Sequence, residues 1–232
     1  MIRIENTETY GWEAAIRGMR NPMNSWDKSD SGYCGEIHCS DCPHEAEAEQ
    51  PGSYCIGRIT NFVIGKKDLQ LMQKLANAGT DHSKFLRMIT VTCDITAPMY
   101  YFKELDTYKV GTVRNSCSTM HKIHSKEFTL DDFSHEHLTE LSKNQLSHTI
   151  KALNFNRELY NAETDKDNKK NIWWQMIQLL PSSYNQRATM QFNYQVLRNI
   201  RNSDRKTHKL DEWRIDFMNW IDSLPYAEEL LK

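Results

Sequence analysis

Gly79-Thr80-Asp81-His82-Ser83-Lys84-Phe85-Leu86-Arg87-Met88-Ile89-Thr90-Val91-Thr92-Cys93-Asp94-Ile95 is the stretch on which the fold turns. Upstream of it, Leu69, Met72, Leu75 and Ala76 share one face at helical spacing, and Gly79 stands where a left-handed cap residue ends such a helix. Phe85 to Ile95 is rich in Ile, Val and Thr and reads as a buried strand. Pro98 then opens a further helix through Met99, Phe102 and Leu105. Helix, strand and helix follow one another with no room for a linker.

The same reading extends outward. Ile2 and Ile4 alternate with polar residues as a short strand, after which Thr7 or Thr9 caps a helix bearing Trp12, Ala15, Ile16 and Met19, closed by Asn21-Pro22. Leu146, Ile150, Leu153 and Tyr160 keep helical spacing, Glu163 to Lys170 is a charged break, and Trp173, Ile177 and Leu180 form a helix that Pro181 stops. Ala188 to Phe192 reads as a strand, Val196 to Ile200 as a helix start, and Leu210, Trp213, Phe217, Trp220 and Ile221 as one wide core-facing stripe. These elements predict an α+β fold: a small, mainly antiparallel sheet bracketed by helices, in a single domain over residues 1–232. A Cys-rich loop insertion at about 25–60 interrupts it.

With 29 basic and 31 acidic side chains, the net charge of -2 supplies no long-range field for polymeric nucleic acid or an anionic membrane. The first residues lack the apolar core of a signal peptide, and no run is long enough to span a bilayer, so a cytoplasmic protein is expected. There is no glycine-rich phosphate loop and no serine elbow. In the insertion, Cys34, Cys39 and Cys42, followed by Cys55, offer four soft ligands. Zinc, an iron-sulfur cluster and reduced thiols without metal all stay open.

The segment Gly79 to Ile95 resembles the stretch of the flavin-dependent thymidylate synthases in which a histidine precedes a strand of alternating Phe and Thr. In that family the next helix ends in Gln-Leu-X-Arg-His-Arg and a serine follows. The same frame here reads Glu104-Leu105-Asp106-Thr107-Tyr108-Lys109, with Cys117 at the serine position and Ser118 beside it. Farther on, Leu180-Pro181, Asn193, Asn199, His208 and Glu212 are similar in spacing to the family's Leu-Pro, Asn-X-Arg and His-Ala-Gln-Trp-Glu. The resemblance covers nearly the whole chain except the cysteine loop, while the Arg-His-Arg signature itself is absent.

The resemblance implies a thymidylate-synthase-complementing-protein-like fold, a homotetramer with FAD between subunits, and transfer of a one-carbon unit from methylene-tetrahydrofolate to dUMP using NADPH. His82, Tyr108, Lys109, Asn193 and Asn199 stand at its cofactor-binding positions, although asparagine is also an ordinary helix cap. Cys117, Ser118 and Lys109 become the catalytic candidates, and Glu104, Arg114 and Arg205 the substrate-binding ones. The family's substrate arginines are replaced by Thr119, Ile177 and Asp204. A lysine at 109 keeps a charge but lacks the bidentate fork an arginine offers phosphate. Arg87, Lys103, Lys109, Arg114 and Arg187 are the cations from which a phosphate site could be rebuilt. Two functions follow: a flavin-dependent enzyme that methylates dUMP or a related pyrimidine nucleotide, or a non-catalytic relative whose metal-stapled loop binds a nucleotide or a protein.

Overall fold

The computed structural model describes residues 2–33 and 62–232. Cys34, Cys39, Cys42 and Cys55 lie outside them. Strands β1 (Arg3–Tyr10), β4 (Thr90–Pro98), β6 (Asn185–Asn193) and β5 (Val113–Ser116) form one sheet in the order β1-β4-β6-β5. Between β1 and β4 come α1 (Trp12–Arg20), the two-residue strands β2 (Gly32–Tyr33) and β3 (Phe62–Val63), and α2 (Lys66–Asn77). β2 and β3 pair antiparallel, Gly32 opposite Val63 and Tyr33 opposite Phe62.

Two backbone bonds give the sense of the central pair: Tyr194 N–H donates to Ile89 O at 3.0 Å, and Met99 N–H to Tyr184 O at 3.0 Å. Numbers rise along β4 as they fall along β6, so the strands are antiparallel. Both alternate strictly. Val91, Cys93, Ile95 and Ala97 are buried on β4, and Ala188, Met190 and Phe192 on β6, as period-two side chains on one sheet face must be. The small, mainly antiparallel sheet with helices on either side in sequence is the architecture the sequence predicts.

The structure moves several boundaries. β1 runs on to Tyr10, so Thr7 and Thr9 are strand residues and not helix caps. Their hydroxyls instead accept from indole N–H groups, Thr7 from Trp220 at 2.9 Å and Thr9 from Trp12 at 3.3 Å. The turn into α1 is made by Gly11 at φ +88, where a Cβ would stand 2.0 Å from Met88 O and only glycine fits. Ser83–Arg87 is a 3₁₀ turn rather than the start of a strand, and it buries Phe85 and Leu86 before β4 begins at Thr90.

Contacts gather the chain into two compact units, with β1, β4 and β6 contributing residues to both. The first comprises Met1–Ile4, Asp94–Thr107 and Arg114–Thr189. It holds α3 (Met99–Leu105), α4 (Thr119–Lys122), α5 (Glu140–Ala162) and α6 (Lys166–Leu179). Its core is Ile123, Phe128, Phe133, Leu146, Leu153 and Met176, flanked by Trp173, Leu180 and Tyr184. Long α5 and α6 form an antiparallel-type hairpin around the charged break, in which Asp165 caps α6 by accepting from Asp167 and Asn168 N–H.

The second unit comprises Glu5–Cys93, Tyr108–Val113 and Met190–Lys232. It holds α7 (Tyr194–Arg201), a π-helical turn (Glu212–Phe217) leading into α8 (Met218–Asp222), and α9 (Ala227–Leu230). The wide stripe is core as predicted, with Trp213, Phe217, Trp220 and Ile221 buried and the Phe217 and Trp220 rings stacked at 5.1 Å. Beneath α1 and α2, Arg20 Nε donates to Asp68 Oδ1 at 2.6 Å, both groups buried.

Candidate functional site

In the first unit, β5 delivers the chain to Cys117, and two bonds clip that residue to β6. Cys117 N–H donates to Arg187 O at 2.8 Å, and Gln186 Nε2 donates to Cys117 O at 2.6 Å. Ser118 then starts α4, its Oγ accepting from His121 N–H at 3.0 Å. The Cys117 thiol is left exposed, in contrast to buried Cys93.

This loop forms one wall of a cavity of about 580 Å³, within the size range of small-molecule sites. Cys117, Ser118, Thr119, Lys122, Lys126, Asp131, Asp132, Tyr184, Gln186 and Arg187 supply its polar lining, with Arg3 and Thr96 at the sheet and Phe128 and Ile123 as apolar floor. Four cations against two carboxylates make it an anion-favouring lining. Two of those cations are positioned by partners. Lys126 pairs with Asp132, and Arg187 Nη2 donates to Asp94 Oδ2 at 2.8 Å, where Thr189 Oγ1 also donates to Asp94 Oδ1 at 2.6 Å.

Burial raises the Asp132 carboxyl, but the hydrogen bonds from Lys126 and from Thr129 N–H, together with the Lys126 charge, outweigh it and hold the group below the usual carboxylate range. Lys126 is correspondingly raised, chiefly by its bond to Asp132. Burial, with the Asp132 charge, raises the Tyr184 phenol, so it remains a donor at neutral pH. The cavity thus offers fixed cations, a phenol O–H, small hydroxyls and a thiol.

The second unit holds a different cluster. Arg205 Nε donates to the Tyr108 hydroxyl at 3.0 Å, and the guanidinium lies 5.4 Å from the Tyr108 ring and 5.1 Å from the Trp213 ring. Lys109 follows in an exposed turn that ends at Gly111, φ +83, whose Cβ position is 2.9 Å from Asn193 Nδ2. Asn193 caps α7, its Oδ1 accepting from Val196 N–H at 3.0 Å, and Nδ2 reaches Gly111 O at 3.4 Å. Asn199 Oδ1 accepts from Gln195 Nε2 at 3.0 Å, and Gln195 Oε1 accepts from Ser83 Oγ at 2.7 Å, beside exposed His82.

Of the residues singled out in the sequence, Cys117, Ser118 and Arg187 meet in the cavity. Glu104 and Arg114 belong to the same unit but not to its lining; Arg114 pairs with Asp106 at 3.3 Å and lies over the Phe102 ring. His82, Tyr108, Lys109, Asn193, Asn199 and Arg205 belong to the second unit, as does Arg87. The sequence reading missed Lys122, Lys126, Asp132 and Tyr184. Lys122 and Lys126, four apart and just beyond the Cys117 loop, were the available signal. Among the described residues no group of three or more His, Cys, Asp or Glu is arranged to hold a metal, and no helix is long and apolar enough to cross a membrane.

Sheet order, antiparallel core pair and flanking helices define the fold class of the flavin-dependent thymidylate synthases. The chain superimposes on the crystal structure of flavin-dependent thymidylate synthase ThyX from Helicobacter pylori complexed with FAD and dUMP, with a TM-score of 0.62 at 17% identity over 99% of this chain and 97% of that one. A second structure of ThyX from Helicobacter pylori with FAD and dUMP gives 0.60 at 16% identity, covering 100% and 97%. At this identity the likeness establishes the fold. No protein-family profile matches the chain, and no curated protein matches it.

Proposed function

We propose that residues 1–232 act as one flavin-dependent enzyme of the thymidylate synthase type that modifies a pyrimidine nucleotide, dUMP or a relative of it, in the cytoplasm. The observation that carries this is the cavity beside the Cys117 loop, whose lining contains four cations. Lys122, Lys126 and Arg187 take the phosphate in place of the absent Arg-His-Arg fork, and Arg3 adds to the same field. Ser118, Thr119 and the Tyr184 phenol address base and sugar oxygens. Cys117 stands where the base is presented.

For the flavin, the donor set of the second unit fits. His82, Lys109 and Asn199 are exposed, and Asn193 keeps an amide hydrogen after capping α7, so imidazole, ammonium and carboxamide donors remain for ring, ribose or phosphate atoms. FAD, once held, supplies the hydride chemistry, with NADPH as reductant and methylene-tetrahydrofolate as the one-carbon source. The chain's own groups position and polarise. A homotetramer is consistent with exposed Leu141, Phe155 and Leu159, which share one face of α5. The test is the visible absorbance of purified protein with and without added FAD, followed by a dUMP titration. Yellow protein whose flavin spectrum shifts with dUMP supports the reading. Protein that stays colourless with FAD and shows no dUMP binding refutes it.

A further inference from the structure

Beyond the cavity, a second concave surface lies in the same unit, and nothing in the proposed reaction uses it. It encloses about 460 Å³ and is lined by Met120, His121, Tyr160, Trp173 and the three lysines of the first turns of α6, Lys166, Lys169 and Lys170. Its size falls inside the range of small-molecule sites, roughly 300–1,000 Å³. We propose that this groove is a separate ligand site that takes a nucleoside phosphate, the base lying against the Trp173 and Tyr160 rings and the phosphates meeting the lysines.

Three features point this way. Lys166, Lys169 and Lys170 stand at i, i+3 and i+4 on one helix, so their heads share a face and repel one another. Among the described residues no carboxylate lines the groove to relieve them. Two acidic side chains of that segment, Glu163 and Asp165, are folded onto the backbone instead: Glu163 Oε1 accepts from Thr164 and Asp165 N–H, each at 2.8 Å, and Asp165 Oδ1 from Asp167 and Asn168 N–H. A row of like charges weakens a helix, and an anion bound in the groove would relieve that repulsion.

The aromatic walls are fixed before any ligand arrives. Trp173 Nε1 donates to Met120 O at 2.8 Å, so the indole is held by its edge. The Tyr160 ring lies 4.4 Å from His124, and Lys169 Nζ sits 4.7 Å from the Tyr160 centroid while donating to Glu163 O at 3.3 Å. Such walls suit a planar base, and lysine heads at their rim suit its phosphates. The local field has the matching sign: burial first, then the charges of Lys122 and Lys169, lower the pKa of His124.

Trp173 provides the readout. ADP titrated into the full-length protein is expected to change tryptophan emission saturably, and Trp173→Phe is expected to remove that change. Lys166→Glu/Lys170→Glu alters two exposed residues outside the core, so it should fold, as a melting curve will show, and weaken ADP by about tenfold or more. Lys126→Glu, which perturbs the cavity and not the groove, should leave the signal intact; its failure to do so would assign the response to the cavity and overturn the proposal. Inorganic pyrophosphate bound as tightly as ADP would show that the aromatic walls contribute nothing, which also overturns it. Preference for a short oligothymidylate over ADP would replace a nucleotide site by a nucleic-acid surface, and absence of saturation would leave no site at all.

Discussion

Replacing Asp68 by alanine should be among the most damaging single changes available outside the apolar core. Asp68 has no exposed surface and Arg20 almost none. Beyond its 2.6 Å bond from Arg20 Nε, Asp68 accepts through Oδ2 from Ser29 Oγ at 2.6 Å, Ser31 Oγ at 2.6 Å and Asp30 N–H at 3.2 Å. Asp30 in turn accepts from Lys67 and Asp68 N–H and closes the start of α2, which is why Gly65 has no room for a Cβ. Removing one carboxylate leaves a buried guanidinium without its counter-charge, a loss of about 3–5 kcal/mol. For a chain of this length that corresponds to a fall in Tm of roughly 6–20 °C. The assay is urea unfolding of Asp68→Ala, Arg20→Met and Arg20→Met/Asp68→Ala. The double variant should be more stable than Asp68→Ala alone, because an uncompensated charge costs more than the missing pair. A loss below about 1 kcal/mol in Asp68→Ala, or strictly additive losses in the double variant, would refute the argument that this pair is electrostatically closed.

Lys126→Ala should flatten the acid limb of stability. The folded Asp132 carboxyl lies below its usual range, so its contribution is complete above the unfolded value and disappears as pH falls through the folded one, below about pH 4. Because the Lys126 side chain is largely exposed, the difference should stay under about 1 kcal/mol, read as urea midpoints at acid and neutral pH, and an unchanged acid limb would contradict it. Under native conditions iodoacetamide should alkylate Cys117 well before buried Cys93, and dUMP should slow the reaction; peptide mass spectrometry reads both, and equal rates at the two thiols would remove Cys117 from an accessible cavity. Arg205→Ala should cost about 1–2 kcal/mol through lost stacking on Tyr108 and Trp213, with Arg205→Lys in between, and a melting point indistinguishable from the parent would show the stack to be inconsequential.

How much of this was legible in the sequence depends on how far apart the partners lie. The strands β4 and β6, the helical stripes of α2, α5 and α6, and the Trp213 to Ile221 core face are local patterns that the residues predict, although β4 begins at Thr90 and not at Phe85. Thr7 and Thr9 misled because a hydroxyl before an apolar run looks the same whether it caps a helix or receives an indole N–H from Trp220, far along the chain. The Arg20 to Asp68 bond and the Lys126 to Asp132 pair have no local signature, so the cavity could be anticipated through its Cys117 loop but not through most of its charges.

The same separation explains how one fold can be built with few identical residues. Val91, Cys93, Ile95 and Ala97 face Ala188, Met190 and Phe192 in the buried layer, and exchanging any of them for a polar group would strand it without a partner. Thr107, Tyr108 and Lys109 stand on a 3₁₀ turn and the exposed bend after it, where side chains can change while the backbone stays. A TM-score of 0.62 at 17% identity is what such a division produces. Within the first unit, the charge that a ligand would meet in the Cys117 cavity is set by Lys122, Lys126 and Arg187 together with Arg3, Asp131 and Asp132, and none of these follows from the elements that build the sheet.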